Sequence, residues 1–222
     1  MSVSKLRAVI FDLDGLMFNT EQLYQQVGTE ILRRRGKTFD DELLDRMMGR
    51  PSRDALQIMI DWHSLADTVA ILSDETDVIF ADILDTQLAC MPGLVELLDK
   101  LEEHGIPKAI CTSSGRRFVN NVLSRFEFGP RFQFILTGED VTHGKPNPEI
   151  YLAAVKQFGL QPHEVMVLED SQNGCRAAID AGTFAVAVPG GHSRRHVFTG
   201  AALQVDSLAD RRIYEALRIE TD

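Results

Sequence analysis

The chain has 222 residues and a mass of 24.8 kDa, with 23 Lys+Arg against 33 Asp+Glu and a formal net charge of −10. At about 150 residues per domain this length gives one or two domains with a core large enough to need no disulfide framework. A hydrophobic fraction of 44% and a charged fraction of 25% exclude disordered, collagen-like and coiled-coil chains. The acidic balance speaks against nucleic acid as a partner, since a phosphate backbone calls for a Lys/Arg surface.

From the first residues the chain runs through Lys5-Leu6-Arg7 into Ala8–Phe11, a run too short for a secretory leader. That run and Ala109–Cys111, Phe132–Leu136, Val165–Leu168 and Phe184–Val188 are short, apolar and bounded by Gly, Pro or polar residues, which predicts buried strands. Helix patterns lie between them. Leu94, Leu97, Leu98 and Leu101 share one face before Gly105, and Ile150, Leu152, Val155 and Phe158 follow Asn147-Pro148, read as an N-cap with proline at the first helical position. Strands alternating with helices predict an α/β fold, a mainly parallel sheet covered on both faces in three Rossmann-like layers. From Thr20 to about Leu88 the pattern is helical only, carried by Leu23, Val27 and Ile31, then Leu43, Leu44, Met47 and Met48, then a helix capped at Ser52 with Leu56, Met59 and Ile60, then Val78, Ile79, Ile83 and Leu84. The expectation is an all-α insertion over 17–91 in a sheet domain of 1–16 and 92–222, with joints near Leu16–Thr20 and Cys90–Pro92. No apolar run reaches the length of about 18 residues that a membrane span needs, so no membrane association is expected. Cys90, Cys111 and Cys175 are widely spaced and form no CxxC pair, which predicts reduced thiols in a cytoplasmic protein.

Open parallel sheets bind ligands at the carboxyl ends of their strands, so the residues after each strand carry the functional reading. Asp12-Leu13-Asp14-Gly15 follows the first strand and places two carboxylates two apart, on one side of an extended segment. Their repulsion is relieved by a divalent cation or by a division of roles between nucleophile and proton carrier, and Gly15 permits close backbone approach; an Asp-rich surface turn is the alternative. Thr112-Ser113-Ser114-Gly115 follows the second strand and offers donors to an anion, or a plain helix cap. Lys145 stands in a loop stiffened by Pro146 and Pro148, positioned there or simply solvated. Glu169-Asp170-Ser171 follows the fourth strand, where two acids fit an oxygen site for Mg²⁺ or a helix cap.

The order of these motifs resembles the haloacid dehalogenase superfamily, in the phosphatase branch with a small helical cap that contains beta-phosphoglucomutase. The resemblance rests on Phe11-Asp-Leu-Asp-Gly-Leu-Met-Phe-Asn-Thr-Glu21, Cys111-Thr-Ser-Ser-Gly115, His143-Gly-Lys-Pro-Asn-Pro-Glu149 and Leu168-Glu-Asp-Ser-Gln-Asn-Gly174, and covers essentially the whole chain. It implies a Mg²⁺-dependent phosphatase acting on a small phosphorylated metabolite, a sugar phosphate or nucleotide-like compound. Asp12 is then the nucleophile and Asp14 the general acid/base. Mg²⁺ is held by Asp12, the Asp14 carbonyl and Asp170, with Glu169 direct or through water. Thr112, Ser113, Ser114 and Gly15 cradle the phosphoryl group, and Lys145 balances its charge. Arg53, Arg50 and Arg116 are the further candidates for phosphate contact, Arg53 first, because the matching cap segment of the mutase carries a phosphate-binding arginine. Arg117 is a candidate beside them, and solvation of a helix face is the alternative for all four.

Two departures favour hydrolysis over mutase activity: Tyr24 stands where the mutase has a cap histidine, and Gly115 where it has a lysine. Asn19 replaces a commoner Asp and is read as a tuned hinge or helix cap. The His143-Gly-Lys run and the Ala109–Gly115 loop also resemble pseudouridine 5′-phosphate phosphatases. A phospho-accepting receiver domain or a binding-only protein is the reading of another class; Asp14 and the insertion speak against the first, the full set of catalytic side chains against the second. A monomer or small homo-oligomer is expected. Trp62 and the Met47-Met48 pair are expected to pack the insertion, and His192 and His196 to face solvent.

Overall fold

The computed structural model describes residues 5–47 and 50–220, apart from the side chain of His192. Six parallel strands form one sheet in the order β3-β2-β1-β4-β5-β6, with β1 Ala8–Phe11, β2 Lys108–Cys111, β3 Phe134–Leu136, β4 Val165–Glu169, β5 Phe184–Ala187 and β6 Leu203–Gln204. The anticipated strands are all present; β3 starts two residues later than the apolar run suggested, and β6, of two residues, left no pattern to read.

Alternation along the strands builds the two faces. Val9, Phe11, Met166 and Leu168 point to one side and pack with α5 Leu94–Glu103, α6 Arg116–Ser124 and α9 Arg211–Leu217. Ala8, Ile10, Val165 and Val167 point to the other and pack with α7 Glu149–Phe158 and α8 Gln172–Asp180. The fold is therefore the expected three-layer α/β arrangement. Helix α7 begins one residue later than anticipated: Pro148 is the N-cap, and Asn147 caps through its Oδ1, which accepts from the Glu149 N–H at 3.0 Å.

Between β1 and β2 run α1 Thr20–Arg34, α2 Asp41–Met47, α3 Ser52–His63 and α4 Val69–Gln87. Pro51, not Ser52, occupies the N-cap of α3, so Ser52 opens the helix. Met48 lies outside the described residues. Trp62 packs against the core and carries the Arg46 guanidinium 4.6 Å from its ring centroid. Asp67 and Glu75 hold Arg35 at 2.8 Å each, and α1 lies along α4.

The joints of this helical segment run side by side. Phe18 bridges Cys90 antiparallel, Met91 N–H donates to the Met17 carbonyl (2.9 Å) and Asn19 N–H to that of Ala89 (3.1 Å). The Asn19 side chain stitches the joint from both ends, its amide nitrogen donating to the Gln87 carbonyl (2.9 Å) and its oxygen accepting from Ala89 N–H (2.8 Å). A carboxylate there has no N–H for Gln87, which gives the Asn a physical reason. Among the described residues, the ion pairs Asp41–Arg195, Asp77–Arg117 and Asp85–Arg125 and the contact of His196 Nε2 with Asp45 cross from the helical segment to the sheet side, each with the acid on the helices. His196 is thus half-buried against Asp45 rather than turned to solvent, while the His192 side chain lies outside the described residues. Among the described residues no helix is long and apolar enough to cross a membrane, and Cys90, Cys111 and Cys175 are free thiols.

Candidate active site

The ladder of the sheet carries straight into the site. Asp12 N–H donates to the Leu168 carbonyl (3.1 Å) and Thr112 N–H to that of Leu136 (3.1 Å), so both residues are fixed as the next steps of β1 and β2. Gly15, at φ +79°, turns the chain back; a Cβ there would lie 2.4 Å from Asp170 Oδ2.

Lys145 is 6% exposed and spends all three ammonium hydrogens: on Asp12 Oδ1 (2.5 Å), Glu169 Oε1 (2.6 Å) and the Cys111 carbonyl (3.0 Å). Its loop is folded by Glu149, whose carboxylate accepts from the N–H groups of Thr142 (2.8 Å) and His143 (2.9 Å). Glu169, 1% exposed, is saturated: Oε1 also accepts from Tyr151 Oη–H (2.5 Å), and Oε2 accepts from Ser171 N–H (3.3 Å) and Oγ–H (3.0 Å). Ser171 is meanwhile the N-cap of α8, accepting from Gly174 N–H at 3.1 Å, so capping falls to Ser171 and Asp170 is left to the cavity. Tyr151, fully buried on α7, had no place in the sequence reading. The signal was present: a tyrosine on a buried helical face needs a partner for its hydroxyl.

Asp14 is held by hydroxyls: Thr20 Oγ–H to Oδ1 (2.7 Å), Ser114 Oγ–H to Oδ2 (2.6 Å) and Thr112 Oγ–H to Oδ2 (3.3 Å). The Thr-Ser-Ser loop does not cap α6, whose first N–H, of Arg116, goes to Glu139 instead (2.9 Å).

Carboxylate oxygens of Asp12, Glu169 and Asp170 lie within 4.8 Å of one another, all buried; the Asp14 side chain is outside this group. Burial pushes the Asp12 carboxyl up to about 8, with Lys145 pulling it down and Glu169 and Asp14 pushing it further up. Burial, then Glu169, Asp12 and Glu21, raises Asp170 well above the carboxylate range. Burial raises Asp14 too, against its hydroxyl donors, and burial and Asp14 bring Glu21 up to about 7. Burial opposes the charge on Lys145, but Asp12 and Glu169 outweigh it and hold the ammonium charged. One cation thus faces an excess of buried acid. A hard divalent ion with oxygen ligands fits this donor set and would relieve the excess.

The site opens into a cavity of about 460 Å³ walled on one side by Asp12, Asp14, Thr112, Ser113, Ser114, Gly115, Lys145 and Asp170, and on the other by α1, α3 and α4. Arg50 and Arg117 line it; Arg53 and Arg116 do not. Arg53 is exposed on α3, and Arg116 is paired with Asp140.

The haloacid dehalogenase-like hydrolase model matches residues 9–188, and the chain belongs to that family of enzymes. It is similar to the phosphorylated carbohydrates phosphatase of Thermotoga maritima, 32% identical over 181 residues covering 80% of this chain and 82% of that one. It is also similar to a Drosophila melanogaster protein named a probable pseudouridine-5′-phosphatase, 31% identical over 212 residues and covering 93% and 91%. Beta-phosphoglucomutase from Clostridium difficile shares the fold, with a TM-score of 0.80, 22% identity and coverage of 96% and 97%.

Proposed function

We propose that the chain is a Mg²⁺-dependent phosphatase that hydrolyses a small phosphate monoester, a sugar phosphate or nucleotide-like compound, through an aspartyl-phosphate on Asp12. The observation that carries this reading is the buried cluster in which Lys145 is clamped between Asp12 and Glu169 beside Asp170, while a second acid, Asp14, hangs from hydroxyls outside the cluster. The phosphatase names of the relatives support it.

Asp12 and Asp170 would hold Mg²⁺ with the Asp14 carbonyl, and Glu169 would act from behind or through water. Bound there, Mg²⁺ supplies neutralisation of charge on the phosphoryl group. In the first step an Asp12 oxygen forms a bond to phosphorus as the ester P–O bond breaks, and Asp14 gives its proton to the departing alkoxide. The raised carboxyl of Asp14 suits it to carry that proton. In the second step Asp14 takes a proton from water, whose oxygen bonds to phosphorus as the Asp12–phosphorus bond breaks. Thr112, the Ser113 N–H and Gly15 would cradle the phosphoryl oxygens, and Lys145 would balance their charge. Residues 17–91 would act as a cap domain on the core of 1–16 and 92–222, hinged at Gly15 and Asn19–Thr20, excluding water from the first step. A cytoplasmic setting suits the three free thiols.

The test is a panel of phosphorylated metabolites with Mg²⁺, including nucleoside monophosphates, hexose phosphates and pseudouridine 5′-phosphate, read as free phosphate. Release that is lost in Asp12→Asn supports the reading. Isomerised hexose phosphate without release makes the chain a mutase, and full activity in Asp12→Asn removes the assignment.

A further inference from the structure

We propose that the alcohol part of the substrate carries a planar heterocycle, its face set against Tyr24, Phe80 and Phe118 and its polar edge met by Thr76. Among phosphate monoesters the chain then prefers nucleoside 5′-phosphates to bare sugar phosphates. The inference rests on the phosphatase reading and narrows it, since that reading leaves the two classes side by side.

A cavity of about 460 Å³ has room for much more than a phosphoryl group. Its lining is mainly apolar, with Val27 and Ile31 from α1, Leu56 and Met59 from α3, and Phe80 and Leu84 from α4. Three rings stand together in this wall. Tyr24 meets Phe80 with centroids 4.4 Å apart and Phe118 at 5.6 Å, and Phe80 meets Phe118 edge-on at 5.5 Å. Their planes cross at 42° to 86°, so the rings form a corner rather than a stack. Such a corner suits a flat guest, face to one ring and edge to another.

The rings stand next to the chemistry. Tyr24 lies one helical turn after Thr20, which donates to Asp14, and Phe118 is the third residue of α6, just past the Ser113–Gly115 loop. A leaving oxygen at Asp14 is therefore followed by aromatic wall. A sugar bearing a hydroxyl on every carbon would set those groups against rings and aliphatic side chains, where each unpaired hydroxyl is costly to bury. A heterocycle sets its face there instead.

Thr76 supplies a polar contact beyond the rings. The start of α1 and the end of α4 meet at the joint, so the two helices run antiparallel. Thr76, one turn before Phe80, thus stands farther from the sheet than the ring does. It lines the cavity, yet its hydroxyl is buried and has no hydrogen-bond partner among the described residues. Thr29 and Thr86, on the same two helices, donate their hydroxyls to the carbonyl one turn back, at 2.7 Å and 3.4 Å; Thr76 makes no such bond. A turn about χ1 brings the hydroxyl to a ligand, and a guest with a polar edge satisfies it. Glu21 Oε1 is the other cavity-lining atom without a partner among the described residues. It belongs to the acidic end, its companion Oε2 lying 3.2 Å from where a Gly15 Cβ would stand.

The experiment uses a matched set: the 5′-phosphates of uridine, pseudouridine, cytidine, adenosine and guanosine against ribose 5-phosphate, with Mg²⁺. All share the phosphate and the primary alcohol it leaves, and differ in whether a base is present. The best nucleotide is expected to exceed ribose 5-phosphate at least about tenfold in kcat/KM. Thr76→Val should cut that preference about fivefold, and Thr76→Ser should keep it. Thr76→Val should not lower the urea midpoint, because its hydroxyl makes no bond to the protein that could be lost. Ribose 5-phosphate turned over as well as every nucleotide, a preference untouched by Thr76→Val, or a lowered midpoint that assigns the hydroxyl to the fold overturns the proposal. The phosphatase reading is judged separately, by phosphate release from any ester and its loss in Asp12→Asn. Should the wild type release none, that reading fails, and calorimetric binding of the same set decides the pocket: tighter binding of a nucleotide that weakens in Thr76→Val supports the heterocycle, and equal or absent binding overturns it.

Discussion

The rim of the sheet and the inserted helices face each other across one cavity, yet they hold their polar groups in opposite ways. At the rim, Lys145 and Glu169 are buried and every donor or acceptor is committed to a named partner. On the helices, Arg50 and Arg53 are exposed; Arg50 donates to the Arg46 carbonyl. Buried and saturated groups are fixed before substrate arrives, whereas exposed ones take their geometry from it. Chemistry should therefore be brittle at the rim, and substrate preference adjustable on the helices.

The largest expected effect is at Asp12: Asn there should lower phosphate release at least about a thousandfold with the fold intact by circular dichroism, since the proposed nucleophile has no substitute. Next comes Lys145→Met. It strands Asp12 and Glu169 without their cation, and breaking such a buried pair costs about 3–5 kcal/mol, readable as a lower urea midpoint alongside loss of turnover. Gly174→Ala sharpens the contrast further. Ala is the better helix former by about 1 kcal/mol, but its Cβ would lie 1.8 Å from Glu169 Oε1. The variant should lose about 2 kcal/mol and much of its activity, as Glu169 is driven off Lys145. Gly36→Ala, at the end of α1 with φ +65° and open space around it, should cost only about 1 kcal/mol and leave turnover alone.

Acid–base linkage gives a subtler expectation. Asp12 rises on folding from 3.8 to about 8. An acid raised in this way binds its proton more tightly when folded. Its contribution to stability is whole below pH 3.8 and is lost as the pH climbs to about 8. A cation that displaces that proton binds better as the pH rises, so the thermal stabilisation given by Mg²⁺ should grow between about pH 5 and pH 8. A stabilisation flat across that window would remove Asp12 from the ligand set. The smallest effect is on the helices: Arg50→Ala should raise KM about fivefold, equivalent to about 1 kcal/mol, and Arg53→Ala should leave it unchanged. The reverse result would return the phosphate contact to Arg53.

The same contrast governs what could be read from the sequence. Strands β1 to β5 and the motif residues after them were legible, because burial on both faces writes continuous apolar runs and a parallel sheet exposes its chemistry where those runs stop. Strand β6 pairs through Val186–Leu203 and Ala187–Gln204 alone, too short for any periodicity. Thr20 was legible only as part of a joint and Tyr151 not at all, because the fold, not a regular local period, brings them to Asp14 and Glu169, 6 and 18 residues away. The arginines were ranked with Arg53 first on resemblance alone, since Arg50, Arg53, Arg116 and Arg117 look alike in sequence; the cavity instead takes in Arg50 and Arg117, and Asp140 claims Arg116.

The most direct test is covalent. The enzyme is mixed with Mg²⁺ and its best substrate, quenched in acid within one turnover, and digested for mass spectrometry. A single phosphoryl group on the peptide that contains Asp12, absent in Asp12→Asn, is the expected result; phosphate release by the wild type with no label on that peptide would contradict the account.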